Sequence, residues 1–191
     1  MPHPTQMFAE KTALLVIDVQ DKLLVKIPAA QSLVRNISFL IDGARIVDVP
    51  VFATEQYPKG LGPTNAILAE KLPERPEKTA FSSCAVPSVV AGFRRQNRSQ
   101  ILVSGMETHV CVLHTTFDLL AEGFQVFLPV DALAGRYTLD HDIALRRLEK
   151  AGAILTTCET ALFEWVGGAS HPKFKQISAL VQERMKIVTP I

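Results

Sequence analysis

The sequence holds no C-x-x-C pair, no G-x-G-x-x-G after an apolar run and no P-loop. Those gaps set aside a zinc ribbon or dithiol redox site, a Rossmann dinucleotide site and a nucleoside-triphosphate site. Cysteine is scarce, with Cys84, Cys111 and Cys158 forming an odd, widely spaced set that is expected to stay reduced. Charge of one sign is never gathered: 20 basic and 19 acidic residues give a formal charge of +1. Neither a nucleic acid nor an anionic membrane is therefore an expected partner. No apolar stretch approaches the ~18 residues that span a bilayer, and the opening MPHPTQMF lacks the basic start and apolar run of a signal peptide. The chain reads as cytoplasmic, acting on a small molecule.

What is present is apolar surface. Of 191 residues 48% are hydrophobic, ample for one core, and no linker or repeat divides the chain, so 1–191 reads as a single domain with its core at about 13–184. Continuous apolar runs predict strands at Ala13 to Asp18, Val49 to Thr54, Gln100 to Ser104, Gln125 to Pro129 and, more weakly, Ala153 to Thr156. Segments of helical period lie between them at Ala30 to Val47, Val86 to Gln96, His109 to Glu122 and His141 to Ala151, with a further pair near the C-terminus. This alternation predicts an α/β protein: a three-layer α/β/α sandwich, Rossmann-like in outline, on a mainly parallel sheet of about six strands.

Such a sheet offers ligands the carboxyl ends of its strands. The residues placed there are Asp18, Glu55 to Tyr57, Lys78 ahead of Phe81, Gly105 to Cys111, and Asp131. A carboxylate, an ammonium and a thiol can do chemistry together. Thr108 reads as the N-cap of the following helix, which puts Cys111 in its first turn, where unpaired amides and the helix dipole favour negative charge. A thiol there is expected to ionise more easily, and the same amides to hold an oxyanion. Position alone also allows Cys111 to be a small buried core side chain. His114, one turn further on, faces away from a substrate at the helix start and reads as a packed or surface residue. Asp18 alone could be a turn aspartate, and Lys78 alone a surface lysine.

Taken in order, ALLVIDVQ with Asp18 and Gln20, Lys78 ahead of Phe81-Ser82, and SGMETHVCV with Cys111 resemble the isochorismatase-like cysteine hydrolase family. TEQYPKGLG and ALFEWVGGASHPKFKQIS are most similar to its isochorismatase domain-containing branch. The resemblance implies the fold of those hydrolases and a catalytic triad of Asp18 (general base, then acid), Lys78 (orienting) and Cys111 (nucleophile). It also implies a thioester intermediate from a small amide or related acyl compound, at a non-peptide C–N bond as in the nicotinamidase-related amidases. By position it implies a cis peptide at Met106-Glu107 that turns the backbone amides of Glu107 and Cys111 toward one point as an oxyanion hole. Metal-dependent members carry Asp-x-His and a further His after the second strand, whereas this chain has EQYPKGLGP, so no metal or other cofactor is expected. Members that cleave a vinyl ether lack the cysteine, so Cys111 points away from isochorismate hydrolysis.

Gln20, Gln56, Tyr57, Phe81 and Thr108 are the expected pocket residues, with Glu55 a further candidate. Cys84 either borders the site or is buried, and Cys158 reads as structural. Assembly into a homo-oligomer is expected by analogy, with the apolar ending MKIVTPI as a contact segment. The competing reading is a non-catalytic binding or interaction protein on the same fold.

Overall fold

Leu14 and Val16 of the first strand pack into one apolar cluster, while Ala13, Leu15 and Ile17 pack into a second, so the strand is covered on both faces. That is why it reads as an unbroken apolar run and not as an alternation. The structure is a computed structural model describing residues 3–72 and 74–187. Its strands are β1 (Thr12–Ile17), β2 (Val51–Gln56), β3 (Glu77–Lys78), β4 (Gln100–Met106), β5 (Gln125–Pro129), β6 (Leu133–Ala134) and β7 (Ile154–Thr156). All pair in parallel, in the order β3-β2-β1-β4-β5-β7, with β6 alongside the end of β4.

The helices are α1 (Asp21–Leu24), α2 (Ala30–Ile46), α3 (Pro58–Leu61), α4 (Ala66–Ala69), α5 (Pro87–Arg95), α6 (Leu113–Ala121), α7 (Thr138–Lys150), α8 (Cys158–Val166) and α9 (Phe174–Ile187). Buried side chains of α2, α4, α8 and α9 meet one face of the sheet, and those of α5, α6 and α7 meet the other. The three-layer sandwich is therefore as expected. β3 and β6 carry no pattern of their own because each is only two residues long. β2 runs two residues beyond its expected end, which brings Glu55 and Gln56 into the strand. The four-residue helices α1, α3 and α4 fill segments that have no helical period. The terminal segment MKIVTPI ends in residues 188–191, outside the described residues, so its expected role in contacts has no structural counterpart. Among the described residues no helix is long and apolar enough to cross a membrane.

β1 lies between β2 and β4, and the strand order runs outward from it in both directions. The carboxyl ends of β1 and β4 thus flank the switch point at which open α/β sheets bind ligands.

Candidate active site

Asp18 directly follows β1 and has φ 53°, a left-handed conformation that aspartate tolerates better than most residues. Its amide donates to Thr54 O at 3.1 Å and its carbonyl accepts from Gln20 N at 2.8 Å, which fixes the bend. β4 comes equally close from the other side. Gly105 pairs with Ile17 at φ 116°, and a Cβ on it would stand 2.1 Å from Ile17 O, so only glycine permits this approach. Beyond Gly105 the chain passes through the cis peptide Met106-Glu107, as the resemblance implied, into a π-helical turn, Thr108–Val112, that carries Cys111. One-turn π segments of this kind are frequent at functional sites.

The three expected side chains converge. Lys78 Nζ is 2.6 Å from Asp18 Oδ2, and both side chains are essentially inaccessible to solvent, at 1% and 0% exposure. The Cys111 thiol lies 3.8 Å from Gln56 Oε1 and near enough to Asp18 and Lys78 for their charges to act on it. Lys78 Nζ also donates to Gln56 Oε1 at 2.6 Å and to Phe81 O at 2.9 Å. Thr54 Oγ1 donates to Asp18 Oδ1 at 2.8 Å and lies 3.1 Å from Ser83 Oγ. Thr115 Oγ1 donates to Cys111 O at 2.6 Å and accepts from Ser83 N at 2.9 Å, tying the π turn to the segment after Lys78. Sequence reasoning missed Thr54, Ser83 and Thr115. The signal available for Thr54 was a hydroxyl inside an apolar run, since a buried hydroxyl has to find a partner.

The electrostatics reverse one expectation. Burial pushes the Asp18 carboxyl above the usual carboxylate range, against the pull of the Lys78 ammonium and of hydrogen bonds from Lys78 and Thr54. Burial also pushes the Cys111 thiol up to about 12, assisted by the Asp18 carboxylate and only partly offset by Lys78. The Cys111 thiol is therefore held neutral, not readily ionised as a helix start suggested. Loss of water and a carboxylate neighbour outweigh the helix terminus, which here is a π turn whose Val110 and Val112 amides already donate to Glu107 O.

Other expected residues serve different ends. Thr108 is fully buried, and its hydroxyl pairs with His141 Nδ1 at 2.8 Å instead of capping the backbone, so the expected N-cap and pocket roles are both replaced by a tie to α7. Gln20 is fully buried with its amide spent on backbone: Oε1 accepts from Gln56 N at 2.8 Å, while Nε2 donates to Gln56 O at 3.0 Å and to Gly62 O. It braces the end of β2 and does not line a pocket. Glu55 also turns away: burial opposes its charge, but hydrogen bonds from Thr64 and Arg75 hold it below the usual carboxylate range.

Asp131 belongs to a separate network, accepting from Cys158 N at 2.8 Å and pairing with Arg184 at 3.0 Å. Cys158 is fully buried beside it, as its structural reading required. Cys84 is half-buried with Sγ 3.9 Å from Thr115 O, and burial pushes its thiol up to about 11. His114 is exposed, its ring centroid 5.7 Å from that of Phe81.

Tyr57 and Phe81 are each half exposed, and Tyr57 shares with Lys78, Thr79 and Val86 the wall of a cavity of about 410 Å³. Tyr57 holds φ 37°, a conformation that costs a bulky residue on the order of 1–3 kcal/mol. Its amide donates to Lys78 O at 2.9 Å, which secures it there. Glu107 Oε2 accepts from Arg136 N at 3.1 Å and Nε at 2.9 Å, closing the other side of the turn. Among the described residues no three His, Cys, Asp or Glu side chains gather as metal ligands.

The family model described as the isochorismatase domain matches residues 12–160, a span that includes Asp18, Lys78 and Cys111. The chain belongs to the isochorismatase family. Isochorismatase domain-containing protein 2 of Homo sapiens is 38% identical over 182 residues, covering 95% of this chain and 88% of the relative. Among solved structures, the MAR1 ribonuclease of Caenorhabditis elegans is 40% identical with a TM-score of 0.86, covering 93% of this chain and 92% of that one. The YcaC gene product of Escherichia coli, described as an octameric hydrolase of unknown specificity, superposes with a TM-score of 0.78 over 98% of this chain and all of its own. At 20% identity that last likeness is one of fold. The isochorismatase-family domain is thus a hydrolase-type fold with a buried Asp18–Lys78 ion pair facing Cys111 at the sheet's switch point.

Proposed function

We propose that the chain is a cysteine hydrolase acting on the C–N bond of a small amide or related acyl compound. The observation that carries this reading is the desolvated Asp18–Lys78 pair, close enough for its charges to act on the Cys111 thiol. An isolated buried carboxylate would be costly, and a carboxylate with a raised pKa beside a neutral thiol is a base suited to taking its proton.

In the first step Asp18 takes the Cys111 proton while sulfur attacks the acyl carbon. The carbonyl oxygen becomes an oxyanion received by the backbone amides of Glu107 and Cys111, each such donor being worth on the order of 10² to 10³ in rate. Collapse breaks the C–N bond, and the leaving amine takes the proton from Asp18, leaving a thioester. Asp18 then removes a proton from water, hydroxide attacks the thioester, and the C–S bond breaks. The proton on Asp18 returns to the Cys111 thiolate, so one water is consumed and one acid and one amine are released. Lys78, donating to Asp18 Oδ2, keeps that carboxylate in place. In this reading Tyr57 and Phe81 meet the substrate's apolar part; both are half exposed, and Tyr57 shares a cavity wall with Lys78.

The raised Cys111 pKa favours a second reading, a binding protein that keeps the pocket without useful turnover. A panel of small carboxamides, assayed for amine release with wild type, Cys111→Ala and Asp18→Asn, separates the two. Turnover lost in both variants supports the hydrolase. A wild type with no turnover across the panel, or activity that survives Cys111→Ala, overturns it. RNA belongs in the same panel because one relative is named a ribonuclease, although in this site Lys78 is committed to Asp18 and Gln56.

Assembly into a homo-oligomer is part of the same proposal, supported by the exposed side chains of Val25 and Ile67, which line one apolar groove with Leu24 and Val34. Sedimentation at micromolar concentration tests it, and a monomer throughout would refute it.

A further inference from the structure

Gln56 makes polar contacts that a pocket-lining residue would not need. It ends β2 opposite Lys78 in the register of β3. Its backbone is clamped on both sides by the Gln20 amide, through Gln56 N to Gln20 Oε1 at 2.8 Å and Gln20 Nε2 to Gln56 O at 3.0 Å. Its own side chain cannot turn over. Nε2 donates to Thr79 O at 2.8 Å, and the opposite flip would face an NH₂ group toward the Lys78 ammonium, donor against donor. Oε1 is therefore aimed inward, 2.6 Å from Lys78 Nζ and 3.8 Å from Cys111 Sγ, a distance at which a thiol can donate.

The ammonium has three protons and four oxygens around it: Asp18 Oδ2, Gln56 Oε1 and Phe81 O at 2.6, 2.6 and 2.9 Å, and Ala80 O at 3.3 Å. All three protons have oxygen partners before a thiolate exists. Gln56 Oε1 thus acts twice against ionisation of Cys111: it accepts the S–H, a bond only the neutral thiol makes, and it holds a Lys78 proton that a thiolate would otherwise attract.

We propose that Gln56 is a positioning residue that keeps Cys111 protonated at rest by accepting from both the thiol and Lys78, so that the thiolate forms only when Asp18 takes the proton in the reaction. The inference rests on the cysteine-hydrolase reading above but is tested without any substrate. Gln56 acts through Lys78 and Cys111 and touches neither acyl carbon nor leaving group. Its neutral carbonyl suits the task, because a carboxylate at the same place would add charge to a site that already holds Asp18.

The test compares the pH profile of Cys111 alkylation by iodoacetamide, read by intact mass, in wild type, Gln56→Met and Gln56→Glu. Methionine keeps the length and removes the acceptor, so the profile shifts to lower pH by about one unit, the size expected from one lost hydrogen bond. Glutamate keeps the acceptor and adds a negative charge, so the profile shifts to higher pH. A residue that mattered only for packing would move both profiles the same way, since loosening exposes the thiol in either variant.

Opposite shifts support the proposal, while shifts in one direction, or none, overturn it. If Gln56→Glu fails to fold, Gln56→Met must still show the shift to lower pH, and if Gln56→Met fails, Gln56→Ala must show it; no shift or an upward one overturns the proposal. Failure here leaves the hydrolase reading standing, because that reading is decided by turnover in Cys111→Ala.

Discussion

Lys78 and Asp18 are 60 residues apart in the chain and 2.6 Å apart in the fold, with neither side chain reached by solvent. Two strands deliver them, β3 at the sheet edge and β1 at its centre, with β2 between. An ion pair at this depth adds little stability over a well-packed apolar pair, but breaking it is expensive because it strands a charge.

Lys78→Met is accordingly expected to cost about 3–5 kcal/mol in urea unfolding, by leaving Asp18 buried and unpaired. Adding Asp18→Asn to it should restore a large part of that loss. A single Lys78→Met that unfolds with wild-type midpoint would show the pair to be solvated in solution.

Asp18→Asn should separate reactivity from catalysis. The Asp18 carboxylate is among the causes that push the Cys111 thiol up to about 12, so removing its charge lowers the thiol pKa. Alkylation of Cys111 at pH 8 is expected to quicken, while turnover, on the proposed role of Asp18 in proton transfer, falls by about 10² to 10⁴. Slower alkylation in Asp18→Asn would contradict the neutral-thiol resting state.

In wild type the same alkylation rate should keep climbing with pH toward about 12, with no plateau near neutrality. A plateau below pH 8 in intact-mass labelling would mean that Lys78 wins over burial and Asp18.

Stability should decline on the alkaline side. Burial raises the folded pKa of Cys111 from about 9 to about 12 and lifts that of Cys158 as well, whereas the unfolded chain has ordinary thiols. A raised thiol pKa means that the folded state holds a proton the unfolded state releases. The contribution is whole below pH 9 and lost as pH rises toward 12, at up to about 1.4 kcal/mol per pH unit for each thiol. Urea midpoints at pH 8, 9 and 10 test this, and Cys111→Ser should show the shallower slope. A midpoint unchanged across that range would count against it.

Gly105→Ala is expected to disrupt folding or cost more than about 3 kcal/mol, because its Cβ would meet Ile17 O at 2.1 Å and its φ is 116°. Gly123→Ala is the control: φ is 84° but nothing lies within 4 Å of the added carbon, so about 1 kcal/mol is expected. Equal thermal shifts for the two would show that conformation, not the close approach of β4 to β1, limits Gly105.

Several features follow from the residues in their linear order. The apolar runs ending at Asp18 and leading to SGMETHVC determined the parallel sheet, because a strand covered on both faces must be apolar throughout. Sheet architecture in turn placed Asp18 and Cys111 at strand ends on the ligand-binding edge.

Whether the thiol is charged was decided only in three dimensions. A helix start seen in sequence carries a favourable dipole, but the desolvation of Cys111 and the nearness of Asp18 are sums over neighbours from β1, β2 and β3, and they reverse its sign. The same holds for Gln20, Gln56 and Thr54: the letters mark them as polar, while only the packed fold says that Gln20 spends its amide on backbone, that Thr54 binds the carboxylate, and that Gln56 faces the ammonium and the sulfur. Strand period and burial are local properties written along the chain, but hydrogen-bond partners and solvation come from residues far apart in it, and tertiary structure alone brings those together.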